Sequence, residues 1–183
     1  MFTKKSHQSL LDITFISLFA ALCYIALTVF FFPVGPMFVH FGNLIVVLAA
    51  LLIGGWQGGL AGSIGMGLYD ILNGHADSSP KTFILKFLIG LTVGLVFVAL
   101  NRISKRKTLN ATVGAVCGMI VNLTGEILWK TVQYSLAGSS INAAFVTSLL
   151  SQSSTLLNAV IAVIGGVALF KLLEKPVEKI KRL

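Results

Sequence analysis

The chain has 183 residues, of which 56% are hydrophobic and only 11% charged, against about 25% charged in an ordinary soluble domain. So few charges cannot cover a water-soluble surface, and one domain of helices packed in lipid would use nearly the whole length, which excludes a separate soluble catalytic domain. The net charge of +8 does not point to nucleic acid, because the basic residues lie between or beyond apolar runs rather than on one face among readable polar side chains.

A helix needs about 20 apolar residues to cross a bilayer core of about 30 Å, and fewer where protein covers it. The N-terminal MFTKKSHQSLLD is basic, and the apolar stretch from Ile13 to Phe32 has no small-residue cleavage site. It therefore reads as a first span, about Leu10 to Phe32, and not as a removed signal peptide. Pro33-Val34-Gly35-Pro36 ends that span in a loop. Two shorter segments follow, about Gly42 to Ile53 and Gly58 to Leu72. The glycine-rich turn Gly54-Gly55-Trp56-Gln57-Gly58-Gly59 joins them into an expected helical hairpin.

Three further segments, about Thr82 to Leu100, Leu109 to Tyr134 and Ala143 to Leu173, are each long enough to cross unaided. The expected fold is an all-α integral membrane protein, a single domain over residues 1–183 built as a six-transmembrane-helix bundle. With both termini cytoplasmic, Lys4, Lys5, Arg102, Lys105, Arg106, Lys107, Lys171, Lys175, Lys179, Lys181 and Arg182 fall inside. Those are eleven of the fourteen Lys and Arg residues, with Lys81 alone in an outer loop. A five- or seven-span count would scatter them over both sides.

Glycines at four-residue spacing, Gly54, Gly58 and Gly62, and again Gly114 and Gly118, suit close helix packing in lipid. Cys23 and Cys117 sit in apolar runs, without the spacing of a disulfide framework or a zinc site, and read as buried thiols.

Charged groups inside a span are costly and usually face a cavity, a partner or water. Lys86 lies early in the fourth span, and Asp70 at the outer end of the third. On the fifth, Asn122, Glu126 and Lys130 recur at four-residue steps and share a face, continued outward by Gln133 and Tyr134. On the sixth, Gln152, Thr155 and Asn158 share another. Two polar stripes on neighbouring helices predict a hydrated pocket opening outward, apolar-walled with a few convergent polar groups. The competing reading makes Glu126 and Lys130 a self-neutralising intrahelical pair and Asn158 a helix-to-helix bond. In the outer loops, His40 follows a Phe- and Pro-rich run that could close over a ring, and His75 lies in Asn73-Gly74-His75-Ala76-Asp77. No HExxH pair, GxxxxGK[ST] loop or GxSxG elbow is present, so no cofactor, catalytic residue or metal site is expected, and an ATP-driven process would need its nucleotide machinery on another chain.

The stretch FGNLIVVLAALLIGGWQGGLAGSIGMGLYDILNG, followed by SSPKTFILKFLIGLTVGLV, resembles the substrate-binding S components of energy-coupling factor (ECF) vitamin transporters, in the branch with riboflavin-type members. The resemblance covers most of the chain, including the Pro-rich first loop and the basic loop before the fifth span. It implies a monomeric six-helix subunit that binds one vitamin near the outer surface with its fourth to sixth helices and outer loops. It also implies association with a transmembrane coupling subunit (EcfT) and two cytoplasmic ATPases (EcfA and EcfA'), and reorientation of the loaded subunit in the membrane. Members carry an AxxxA-type patch on the first helix for the coupling subunit; the nearest match here is Ser17 with Ala21, flanked by Ala20, so Ser replaces the first Ala.

One acid and two lysines on the polar stripes, with three tyrosines and two tryptophans in the whole chain, suit a small neutral heteroaromatic with hydroxyls. Pyridoxine or the hydroxymethylpyrimidine moiety of thiamin comes first, riboflavin or pantothenate next. The alternative from another class is a membrane-embedded enzyme acting on an isoprenoid or lipid headgroup.

Overall fold

The structure, a computed structural model, describes residues 4–34 and 37–181. Helix α1 (Lys4–Val29) leads into a hairpin of β1 (Phe31–Val34) and β2 (Met37–His40). Then come α2 (Gly42–Ile53), α3 (Gly55–Leu72), α4 (Ser79–Ile103), α5 (Lys107–Leu136), α6 (Ile141–Leu150) and α7 (Ser153–Lys181). Among the described residues, four helices are long and apolar enough to cross a membrane: Gln8–Val29, Ser79–Ile103, Lys107–Leu136 and Ser153–Lys181. Apolar side chains such as Ile13, Ile25, Leu95, Ile120 and Ile164 stay exposed along their outer faces, as a lipid solvent permits and water does not.

The short α2 is the centre of the bundle. It packs on α1, α3, α4, α5 and α7, and 11 of its 12 residues are buried. A helix apolar all round is stable only when enclosed in this way, which is why 12 residues suffice here. Gly54, at φ 111°, breaks the chain between α2 and α3, so the expected turn over 54–59 contracts to one residue and Gly55 to Gly59 are already helical. Of the expected packing glycines, Gly58 and Gly62 face Ala50 and Val46 of α2, and Gly114 and Gly118 face α4. Helices α3 and α4 also approach closely, where a side chain on Gly90 would strike the backbone of Gly59.

Two expectations are corrected. The fold is not purely helical, because the Phe-rich segments flanking residues 35–36 pair antiparallel, with Phe31 opposite His40 and Pro33 opposite Phe38. Pro33 lacks an N–H, and an edge of a two-stranded ribbon tolerates that. Nor is the last segment one helix from Ala143 to Leu173. The Ser140 side chain caps α6 by accepting from the Ala143 N–H. At the far end of α6, Ser151 Oγ and Gln152 Nε2 both donate to the Ser148 carbonyl, at 2.9 and 2.8 Å. These side chains substitute for the next helical turn, and the chain restarts as α7.

Lys107 pairs with Glu174 at 2.8 Å and Glu178 at 3.1 Å, and Lys181 donates to the Leu52 carbonyl at 3.1 Å. The ends of α2 and α7 and the start of α5 therefore share one rim with the basic 102–107 segment. The hairpin, the starts of α2, α4 and α7 and the end of α3 meet at the opposite rim.

Candidate functional site

At that opposite rim the helices enclose a cavity of about 210 Å³. Its deep end is a junction of three helices. Lys86 of α4 donates to Asn43 Oδ1 of α2 at 2.9 Å and to Asn122 Oδ1 of α5 at 3.1 Å, and all three residues are at least 95% buried. A lysine at this depth needs such acceptors, because desolvation without them is costly.

Nearer the mouth, Lys81 in the first turn of α4 forms a 3.0 Å ion pair with Glu126 of α5. Thr82 Oγ1 donates to the Asp70 carboxylate at the end of α3. Lys130 donates to Ser151 Oγ at the α6–α7 break, at 3.0 Å. Pro80 in the first turn of α4 starts that helix early enough for Lys81 to project from it rather than from a loop.

The hairpin covers the cavity. Asn158 of α7 grips β2 at two backbone points, accepting from the His40 N–H at 2.9 Å and donating to the Phe38 carbonyl at 3.1 Å. His40 Nδ1 accepts from the Gly42 N–H at 3.2 Å. Burial, reinforced by the Lys86 charge and opposed by Glu126, pushes the His40 imidazole down to about 3; the ring is neutral, with Nε2 as its donor. The Phe38 and His75 rings lie 6.2 Å apart over the mouth.

Seven of the ten residues expected at the site, Lys86, Asn122, Glu126, Lys130, Asn158, His40 and His75, line this one cavity, as does Thr155. Gln133, Tyr134 and Gln152 are not among its lining residues. At 1.5 Å per residue Gln133 lies about 16 Å along α5 from Asn122, beyond the mouth, and successive four-residue steps turn Tyr134 roughly 120° off that face. Gln152 is buried but spends its amide on the Ser148 carbonyl. Glu126 forms its ion pair with Lys81 of α4, a cross-helix partner in place of the intrahelical Lys130 of the competing reading.

Sequence reading missed Asn43, Lys81, Thr82 and Tyr69 as lining residues and set Asp70 apart from the site. A polar Asn opening an otherwise apolar 12-residue run was the available signal for Asn43. On α1, Ser17 and Ala21 are exposed, whereas Ala20 is 8% exposed with its carbonyl against Gly65 of α3. One residue is a 100° turn, so Ala20 leaves the expected docking face and packs inward. A second, larger hollow of about 380 Å³ between α5 and α7 is lined by apolar side chains such as Met119, Leu123 and Val163 and offers nothing to orient a polar ligand.

Comparison with known proteins places this geometry in a family. The chain's fold is similar to that of ThiT from Listeria monocytogenes, with a TM-score of 0.66 at 17% identity over 94% of this chain and 98% of that one. A curated relative, an uncharacterized protein from a gap 3' region of Pyrococcus woesei, is 27% identical over 107 residues, 58% of this chain and 68% of that protein. The family model of the ECF-type riboflavin transporter S component matches residues 7–175, and the chain belongs to that family of membrane transporter subunits.

Proposed function

We propose that this S component captures a single-ring, hydroxyl-bearing vitamin or precursor, pyridoxine or hydroxymethylpyrimidine in preference to riboflavin or pantothenate. The observation that carries the reading is the cavity itself. At about 210 Å³ it is smaller than the roughly 300–1,000 Å³ typical of sites for drug-sized ligands, which favours one ring over a fused three-ring system. Its polar groups carry both signs, lysines from α4 and α5 against Asp70 and Glu126. That suits a small ring with donors on one edge and acceptors on the other.

The same reading has the chain cross the membrane six times with both termini cytoplasmic, supported by eleven of the fourteen basic residues lying in the sequence segments that this topology puts inside. The cavity then opens outward. Delivery inward requires a transmembrane coupling subunit and two cytoplasmic ATPases, and Lys86, Glu126 and Lys130 stay turned toward the bundle while the subunit reorients, since exposing them to lipid is costly.

The test is to purify the chain in detergent, identify by mass spectrometry any small molecule that accompanies it, and titrate the emptied protein with all four candidates by calorimetry. A one-to-one complex with a single-ring compound is expected. Preferential binding of riboflavin would overturn the size argument, and chemical turnover of a lipid by the chain alone would favour the membrane-enzyme alternative.

A further inference from the structure

The Lys86 junction fixes more than the lysine. An ammonium has donors and no acceptor, so the amides of Asn43 and Asn122 must both turn their oxygens toward it, as the 2.9 and 3.1 Å contacts record. Each amide therefore directs its N–H groups away from Lys86. Neither Nδ2 has a hydrogen-bond partner among the described residues, yet neither is sealed off as a buried unpartnered atom, and both residues line the cavity. The amide N–H groups open into the cavity, from two helices, at its deepest point.

We infer that Asn43 and Asn122 are specificity-determining residues, locked by Lys86 into a donor-only surface that selects its vitamin by a hydrogen-bond acceptor at the end that enters first. This rests on the ligand-binding reading above and deepens it. The acceptor is an unprotonated ring nitrogen, a carbonyl or a phenolic oxygen. A ligand presenting only N–H or apolar C–H groups there leaves two or more buried donors unpaired, the costly case for any polar contact.

The outer half of the cavity has the opposite character, with the carboxylates of Asp70 and Glu126. Each already accepts one protein donor, from Thr82 and Lys81, and a carboxylate has room for further donors. The ligand's hydroxyl or amino groups therefore point outward and its acceptor edge inward.

The experiment replaces each amide by an acid, Asn43→Asp and Asn122→Asp, in the full chain in detergent. Aspartate keeps the size and gives Lys86 an oxygen, so a merely supporting role is preserved, while the N–H donors are lost. Calorimetry with pyridoxine and with hydroxymethylpyrimidine, on variants whose melting temperature matches the wild type, is expected to show binding weakened by at least about tenfold for whichever probe the wild type binds.

A ligand-side measurement does not depend on the variants folding. On the wild type, pyridoxine analogues lacking the 3-hydroxyl or methylated on the ring nitrogen remove one acceptor each, and at least one should lose about tenfold or more. Unchanged affinity in folded Asp variants, or indifference of the wild type to both analogues when pyridoxine binds, overturns this inference and leaves vitamin capture standing. Failure of the wild type to bind any of the four candidate vitamins overturns the vitamin reading and this inference with it.

Discussion

Lys81 and Glu126, 45 residues apart, meet at 3.0 Å across the mouth of the cavity and tie the first turn of α4 to α5. Their side chains are only 16% and 13% exposed, so neither is freely solvated when its partner is removed. Lys81→Met and Glu126→Gln should each lower thermal stability in detergent, and the double variant should recover part of the loss. A double-mutant cycle is expected to give a coupling of about 1–3 kcal/mol, in the range for contacting residues; strict additivity would dissolve the pair.

Asn158 holds the β hairpin by its backbone, so Asn158→Leu should free the cover without disturbing the deep junction. Losing hydrogen bonds worth about 1 kcal/mol each predicts faster ligand release and roughly tenfold or greater loss of amide protection at His40. Hydrogen exchange read at the hairpin and at α2 separates the two regions. Unaltered exchange at His40 would show that the hairpin is held by something other than Asn158.

The His40 imidazole, held down at about 3 by burial and by Lys86, titrates near 6.5 when unfolded. The unfolded chain therefore binds a proton below about 6.5 that the folded chain refuses until pH falls to about 3. Stability is fully present above pH 6.5 and is lost on acidification through that window, by up to about 1.4 kcal/mol per pH unit. His40→Gln should flatten the decline between pH 7 and 5, measured by thermal unfolding. An unchanged slope would assign the acid sensitivity elsewhere.

Gly90 and Gly125 make a controlled comparison on two packed helices. A methyl at Gly90 would strike the Gly59 backbone, which cannot yield, whereas one at Gly125 would meet the tip of the Leu85 side chain, which can. Gly90→Ala should destabilise by about 1–3 kcal/mol, as overpacking does. Gly125→Ala should be nearly neutral, its helix propensity offsetting the adjustment of Leu85. Equal melting temperatures for the two would contradict the close approach of α3 and α4.

The exposed Ser17–Ala21 face of α1 is the expected docking surface for a coupling subunit, where small residues let backbones approach. Ala21→Trp should abolish co-purification of that subunit and uptake by cells while leaving vitamin affinity intact. Ala20→Trp, directed at α3, should instead lower the stability of the isolated chain. Complex formation surviving Ala21→Trp would move the docking surface to another helix.

Composition and helical periodicity by themselves determined that this chain belongs in lipid, that most basic residues lie outside the apolar runs, and that Asn122, Glu126 and Lys130 share a face. Those properties are local: hydropathy over a window sets whether a segment tolerates lipid, and a 3.6-residue period sets which of its residues project together. The period does not say which helix that face will meet. Only the tertiary structure put Lys81 opposite Glu126 and brought Asn43 to Lys86 from 43 residues away. It also showed that a short α2 is permitted because five neighbours enclose it. The hairpin and the α6–α7 break escaped the sequence for a related reason. Phe- and Ser-rich stretches choose between helix and its alternatives by the backbone partners available to them, here β1 for β2 and the Ser148 carbonyl for Ser151 and Gln152, and those partners exist only once the chain has folded.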